Sequence, residues 1–244
     1  MIILLISDIH GNLTALDTVL TAAGPVDAVW QLGDIVDYGP HPRECLARVR
    51  ALRPHVNLAG NHDLAALGKI PTESFNRLAQ QSLRWTKQQL TDEDRAYLQA
   101  LALIATADHC TLVHGSPRSP IWEYIISTPI ALANFEYFST PICFFGHTHV
   151  PFVISEHAAQ RGEQPMIPTD GDAIQLDPDE RYLINPGSVG QPRDGDPRAA
   201  FALYYPEERR IVFRRVLYPV EQVQAAMRAA KLPEPLIERL ALGI

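Results

Sequence analysis

Three short apolar runs, Ile2–Ser7, Ala28–Leu32 and Val56–Ala59, alternate with two helical segments. No other feature of the chain constrains its fold as much. Leu13, Leu16, Val19 and Leu20 share one face of a helix over Leu13–Ala23, which Gly24-Pro25 ends. A second helical segment runs from Pro42 to Leu52. Strand, helix, strand, helix, strand is the pattern of a largely parallel sheet covered by helices.

A helix-rich block follows, residues 64–101, with Thr91 and Asp94 spaced as an N-terminal capping pair. It is expected to form a helical cap laid over the sheet edge. Two more strands, Cys110–His114 and Ile142–Phe145, flank a helix around Ile130–Phe138. Beyond His149 the apolar runs shorten: Phe152–Ser155, Ala173–Leu176, Arg181–Ile184, Ala199–Tyr205 and Arg210–Leu217. Turn-rich segments separate them, so antiparallel hairpins in a second sheet are expected. Helical segments Val220–Ala230 and Pro235–Leu240 complete the chain. No low-complexity linker or internal repeat interrupts it. One domain over residues 1–244, built from two sheets, is therefore expected.

The polar residues gather where these strands end. The first ends in SDIHGN, with Asp8 and His10; the second in LGDIVDYG, with Asp34 and Asp37; the third in LAGNHD, with Asn61 and His62. The fourth ends at His114 of VHG, and the fifth in GHTH, with His147 and His149. In a parallel α/β sheet such ends lie on one edge, where ligands bind. Asp, His and Asn are hard or borderline donors. They suit manganese first, with iron, nickel, zinc or magnesium as alternatives, and no thiolate joins them. Asp8, His10, Asp34, Asn61, His114, His147 and His149 are too many ligands for one ion. With one carboxylate bridging they would hold two cations about 3.5–4 Å apart, enough to clamp a phosphate and acidify water. Gly33, Gly60, Gly115 and Gly146 each flank a candidate ligand and let the chain turn sharply there.

Charge and composition narrow the partners. The 244 residues carry a formal net charge of -7, which does not suit a generic nucleic-acid or membrane-surface binder. No stretch reaches the length of a bilayer span, and the MIILLISD start reads as a strand rather than a signal peptide. Cys45, Cys110 and Cys143 are odd in number and far apart, consistent with reduced thiols in a cytoplasmic protein. His41, His55, His109 and His157 lie outside the motifs. Arg118 and Arg193 follow Pro-containing loops, and a guanidinium fork matches phosphate, so both are candidate substrate contacts. Trp122 and Tyr124 could stack on a nucleobase, with core packing the plainer reading. Asn185-Pro186-Gly187-Ser188 reads as a strand-to-turn junction.

The ordered set DIH, GDIVD, GNHD, the histidine of VHG, and GHTH resembles the motifs of the calcineurin-like metallophosphoesterases, in their compact prokaryotic phosphodiesterase branch. The tail INPGSVGQPRDGDPRAAFAL is similar to that branch too. The resemblance implies an α/β fold: a four-layer αββα sandwich of two mixed β-sheets flanked by helices. It implies that Asp8, His10 and His149 hold one metal, that Asn61, His114 and His147 hold a second, and that Asp34 bridges them. It implies that His62 serves the leaving group and that Asp37 orients His62. The activity implied is phosphoester hydrolysis, of phosphodiesters first, by in-line attack of a metal-bridging hydroxide. The alternatives are a phosphomonoesterase or phosphoprotein phosphatase, a dinucleoside polyphosphate hydrolase, and a catalytically silent scaffold. The expected partner is a small-molecule or nucleotide phosphoester.

Overall fold

The computed structural model describes residues 1–244. In chain order the first half contains β1 (Ile3–Ile6), α1 (Leu13–Ala23), β2 (Ala28–Gln31), α2 (Pro42–Leu52), β3 (Val56–Asn57), α3 (Asn61–Ala66), α4 (Arg77–Gln89), α5 (Asp92–Gln99), β4 (Ile104–Ala107) and β5 (Cys110–Val113). The second half contains α6 (Thr128–Asn134), β6 (Ile142–Phe144), β7 (Phe152–Ser155), α7 (Glu156–Gln160), β8 (Ala173–Gln175), β9 (Tyr182–Asn185), β10 (Ala199–Tyr205), β11 (Arg210–Val216), α8 (Val220–Ala229) and α9 (Glu234–Leu242).

The strands form two mixed sheets, ordered β3-β2-β1-β10-β11-β8 and β4-β5-β6-β9-β7. Their side chains alternate between faces, as an extended chain requires. Ile3 and Leu5 of β1 pack with Trp30, Leu112, Phe144, Ile184 and Phe213 in a core between the sheets. The intervening Leu4 and Ile6 face the other way, into a core shared with Leu16, Val49, Val223 and Ile237 of the helices. Beneath the second sheet, Val113, Cys143 and Phe145 pack with Ala131 and Ala159 of α6 and α7. The result is helices, sheet, sheet, helices. Trp30 and Phe144 meet across the central layer with ring centres 5.9 Å apart. Fully burying one such side chain is worth about 1.5–3 kcal/mol. Cys45, Cys110 and Cys143 are free and buried. No helix is long and apolar enough to cross a membrane.

Several expectations need correction. The strands after His149 do not make a sheet of their own. β10, β11 and β8 extend the first sheet, whereas β7 and β9 join the second. β10 is inserted antiparallel beside β1, and all but its last residue are buried. A period of two reveals a strand but not its partner, so sequence could not assign these strands to sheets. Nor do the five polar strand ends share one sheet edge: β1, β2 and β3 belong to the first sheet, β5 and β6 to the second. β4 was not anticipated. It is an edge strand of alternating exposed and half-buried residues. It turns into β5 through Asp108 and His109, whose φ values of 44° and 59° are those of a primed hairpin turn. The short helix α7, capped by Ser155, was also unforeseen.

The 64–101 block contains α4 and α5, and the Thr91–Asp94 capping box is present. Ala79, Leu83, Leu90 and Leu98 bury into the same core as α1 and α2. The block therefore continues the helical layer of the first sheet and reaches the polar cleft through Phe75 and Thr86.

Candidate metal and catalytic centre

The polar loops meet in one place because hydrogen bonds lace the first to the second and to the tail loop at residues 188–190. The Asp8 and His10 amides donate to the carbonyls of Gly33 and Asp34. The Gly190 amide and the Ser188 hydroxyl both donate to the Asp8 carbonyl. Asp8, His10, Asp34, Asp37, His147 and His149 all adopt left-handed backbone, with φ between 49° and 77°. Each such residue costs about 1–3 kcal/mol, and clusters of them mark functional sites. The strain turns each side chain off its strand end and into the cleft. Two glycines permit the close approach. A Cβ on Gly60 would lie 2.0 Å from Asp34 Oδ1, and one on Gly146 would lie 2.0 Å from Ser7 Oγ.

The donors fall into three overlapping groups: Asp8, His10 and His149; Asp34, His114 and His147; and His10, Asp34 and His62. His10 Nε2 lies 3.1 Å from His149 Nε2. His114 Nε2 lies 3.1 Å from His147 Nδ1 and 3.2 Å from Asn61 Oδ1. Asp34 joins the halves, its Oδ2 being 3.2 Å from His114 Nε2 and 3.6 Å from His10 Nε2. That Oδ2 is buried with no hydrogen-bond partner.

The chemistry of this donor set fits cations. His10, His114 and His149 direct Nδ1 at the carbonyls of Val36, Leu32 and Gln191, at 3.2, 2.9 and 2.6 Å. An Nδ1–H donated there leaves Nε2 as a free lone pair facing the cleft. Burial drives His10, His147 and His149 well below the ordinary imidazole range, so they are neutral ligands. Burial alone would raise Asp34, but His114 and His62 hold it well below the usual carboxylate range. Burial alone would lower His114, yet the Asp34 carboxylate against it lifts it to about 9, so its Nε2 becomes a lone-pair donor only when a cation displaces that proton. Burial raises Asp8 to about 6.

His62 opens α3, and its amide donates to Asp34 Oδ1 at 2.9 Å. Its ring Nδ1 lies 2.6 Å from Asp37 Oδ2, and Thr86 Oγ1 donates to the other oxygen of Asp37 at 3.3 Å. Its faces meet Tyr38 and Phe75, with ring centres 4.6 and 4.9 Å away. The cleft in front of it has a volume of about 420 Å³, and Trp122, Tyr124, Arg193 and Arg239 also line it.

The structure thus brings together Asp8, His10, Asp34, Asp37, Asn61, His62, His114, His147 and His149, and places Arg193 on the cleft wall. It does not bring Arg118 there. Arg118 is exposed, and its guanidinium forms a two-pronged pair with Glu123. Against its partial burial, Arg118, Asn134 and Ser116 hold Glu123 at about 2. The Arg118 charge fastens its own loop. Trp122 and Tyr124 are cleft residues rather than core, and Tyr124 stacks on His147 at 3.9 Å.

Sequence reasoning missed the support. Asn185 Nδ2 donates to the Gly146 carbonyl and to Thr148 Oγ1, which steadies GHTH. Asp63 is fully buried and accepts three amides, from Ile35, Val36 and Gly60, at 3.0–3.1 Å. It thereby joins the second and third motifs. The signal was its place three residues after the Gly60 N-cap. Asp63→Ala would strand three donors at about 1 kcal/mol each, so a loss of about 3 kcal/mol is expected in urea unfolding. A loss below about 1 kcal/mol would show that these bonds do not hold the loops.

Comparison with known proteins agrees with this fold. The calcineurin-like phosphoesterase superfamily domain matches residues 1–209. An uncharacterized protein of Methanocaldococcus jannaschii is 38% identical over 248 residues, covering 99% of this chain and 98% of that protein. A crystal structure of a metallophosphoesterase from Sphaerobacter thermophilus superposes with a TM-score of 0.94 at 50% identity, over 100% of this chain and 99% of that one. A hypothetical protein from Pyrococcus horikoshii shares the fold, with a TM-score of 0.78 at 21% identity over 100% and 98% of the two chains. From the family match over residues 1–209 and the 50% identity to a metallophosphoesterase, the chain belongs to the calcineurin-like phosphoesterase superfamily.

Proposed function

We propose that this phosphoesterase is a dinuclear enzyme that hydrolyses phosphodiesters, with residues 1–244 acting as one domain and the 64–101 helices shaping one wall of the cleft. The observation that carries the reading is the position of Asp34 Oδ2, buried without a hydrogen-bond partner and lying 3.2 Å from His114 Nε2 on one side and 3.6 Å from His10 Nε2 on the other. Asp8, His10 and His149 would hold one cation; Asn61, His114 and His147 the other; Asp34 would contribute to each. Two divalent ions bound there, manganese for preference, would supply Lewis-acid charge that offsets the phosphoryl oxygens and acidifies water.

The remaining steps belong to the chain. Asp37 accepts from His62 Nδ1 and so fixes the ring with Nε2 toward the cleft. From there His62 delivers a proton to the departing oxygen. Tyr38 and Phe75 confine the ring, and the cleft has room for the second arm of a diester. Three free buried thiols support a reducing, cytoplasmic setting. The net charge of -7 argues against nucleic acid as the substrate.

The test loads purified protein with Mn²⁺, counts bound metal, and compares bis-p-nitrophenyl phosphate with p-nitrophenyl phosphate. Two ions per chain and faster diester turnover are expected. A reversed preference would make the enzyme a monoesterase. One ion per chain at saturation would overturn the dinuclear centre.

A further inference from the structure

We propose that Arg193 and Arg239 form a second anion-binding subsite beside the catalytic cleft, shaped for a nucleotide that carries another phosphoryl group besides the scissile one. This rests on the phosphoesterase reading and specifies its substrate. Arg193 follows the tail loop, and its amide donates to the His149 carbonyl at 3.2 Å. Arg239 comes from α9, outside every motif. The two guanidinium groups converge on one ring, with their central carbons 5.9 and 5.3 Å from the centre of Tyr38. They also converge on one acceptor: Gln191 Oε1 receives Arg193 at 3.0 Å and Arg239 at 2.6 Å. Arg239 Nε donates to the Ile244 main-chain oxygen at 2.8 Å.

Neither arginine pairs with an Asp or Glu. Arg215, which is buried more deeply than either, does so, with Asp194. Two partly buried cations therefore share the neutral Gln191 Oε1, Arg239 reaching the Ile244 main-chain oxygen as well, and Arg193 Nε is buried without any partner. Placing like charges together out of water is unfavourable, and an anion bound between them relieves it. Burial and the neighbouring Arg193 already pull Arg239 down to about 10. A planar fork suits the oxygens of a phosphoryl group.

Position relates the subsite to the chemistry. The Tyr38 ring that the arginines share lies 4.6 Å from His62 and 4.7 Å from His10. The second anion would thus sit one ring's width from the reacting phosphorus. Trp122, which lines the same cleft, is partly exposed and leans on Phe75, with ring centres 5.4 Å apart. Its open face can take a nucleobase, since base stacking on aromatics tolerates any base.

Two esters with the same leaving group separate the terms: thymidine 5′-(p-nitrophenyl phosphate) and the same compound bearing a 3′-phosphate. With the Mn²⁺-loaded enzyme, the 3′-phosphorylated ester should show a KM lower by about tenfold, as a charge-assisted contact predicts. Arg239→Gln should erase most of that ratio, and Arg239→Lys should restore part of it. Equal KM values in the wild type, or an unchanged ratio in Arg239→Gln, would overturn the subsite. A binding measurement covers the case in which neither ester is cleaved, which would count against the phosphodiesterase reading instead. By calorimetry the wild type should bind thymidine 3′,5′-bisphosphate about tenfold more tightly than thymidine 5′-monophosphate, with the preference lost in Arg239→Gln. Equal affinities there would refute the subsite whatever the enzyme hydrolyses. Circular dichroism on each variant shows whether it has folded.

Discussion

Asp34→Asn should reduce metal stoichiometry from two ions to one or none, and turnover by about a thousandfold or more, comparable to removing a principal electrostatic group from an active site. The reason is where this carboxylate stands. Oδ1 is occupied by the His62 amide, so only Oδ2 is free, and it faces His114 and His10 together. Asparagine is nearly isosteric. Its amide oxygen can still accept from His62, so the third motif should remain folded. What disappears is the negative charge standing between His10 and His114, and an amide nitrogen in the Oδ2 position would point a donor at imidazoles and cations. Asp8→Asn provides the comparison, because Asp8 belongs to one donor set alone and both its oxygens already receive the His147 amide, at 3.2 and 3.1 Å. That variant should weaken one ion and spare the other. Metal counting by mass spectrometry after gel filtration distinguishes them. An Asp34→Asn protein that still held two ions with wild-type affinity would remove Asp34 from the bridging position.

The contrast between these acids shows what a sequence reader can and cannot recover. A ligand at the end of a strand comes with local marks: an apolar run before it, a glycine beside it, a second donor two residues on. GHTH carries all of these within four residues, GDIVD carries the run, the glycine and a second acid three residues on, and the structure gathers their side chains. Asp63 carries a fainter local mark, since helix capping places an acid three residues after Gly60 but does not say that the acid also receives Ile35 and Val36. Arg239 carries none. Its importance depends on α9 folding back over Tyr38, a contact between residues some two hundred positions apart. Arg118 shows the opposite failure. Its loop suggested phosphate binding, but Glu123, five residues later, takes up its charge. Strand pairing was opaque for a related reason. β10 and β9 both read as buried apolar runs, and only the packing of whole faces sends one beside β1 and the other beside β6. Patterns within a turn or two of chain were legible, whereas partners chosen by tertiary packing were not.

His62→Ala is expected to retain both ions yet lose about 10²–10⁴ in kcat, the usual worth of a positioned proton donor. The loss should depend on the ester. Departure of p-nitrophenolate needs little protonation, so bis-p-nitrophenyl phosphate should fall at the low end of that range, whereas esters of alkyl or nucleoside alcohols should fall at the high end. Asp37→Asn should follow the same trend more weakly. It leaves the imidazole in place but removes the carboxylate 2.6 Å from Nδ1 that selects its orientation and tautomer. The competing role for His62 is concrete, since its ring also lies within ligand reach of His10 and Asp34. As a ligand it would give a different signature: His62→Ala would lose metal, and the rate loss would be uniform across leaving groups because the defect would precede the chemical step. Plotting log kcat against leaving-group basicity for wild type and variant at saturating Mn²⁺ decides the matter. A steeper slope in the variant makes His62 the proton donor; parallel lines with diminished metal content make it a ligand.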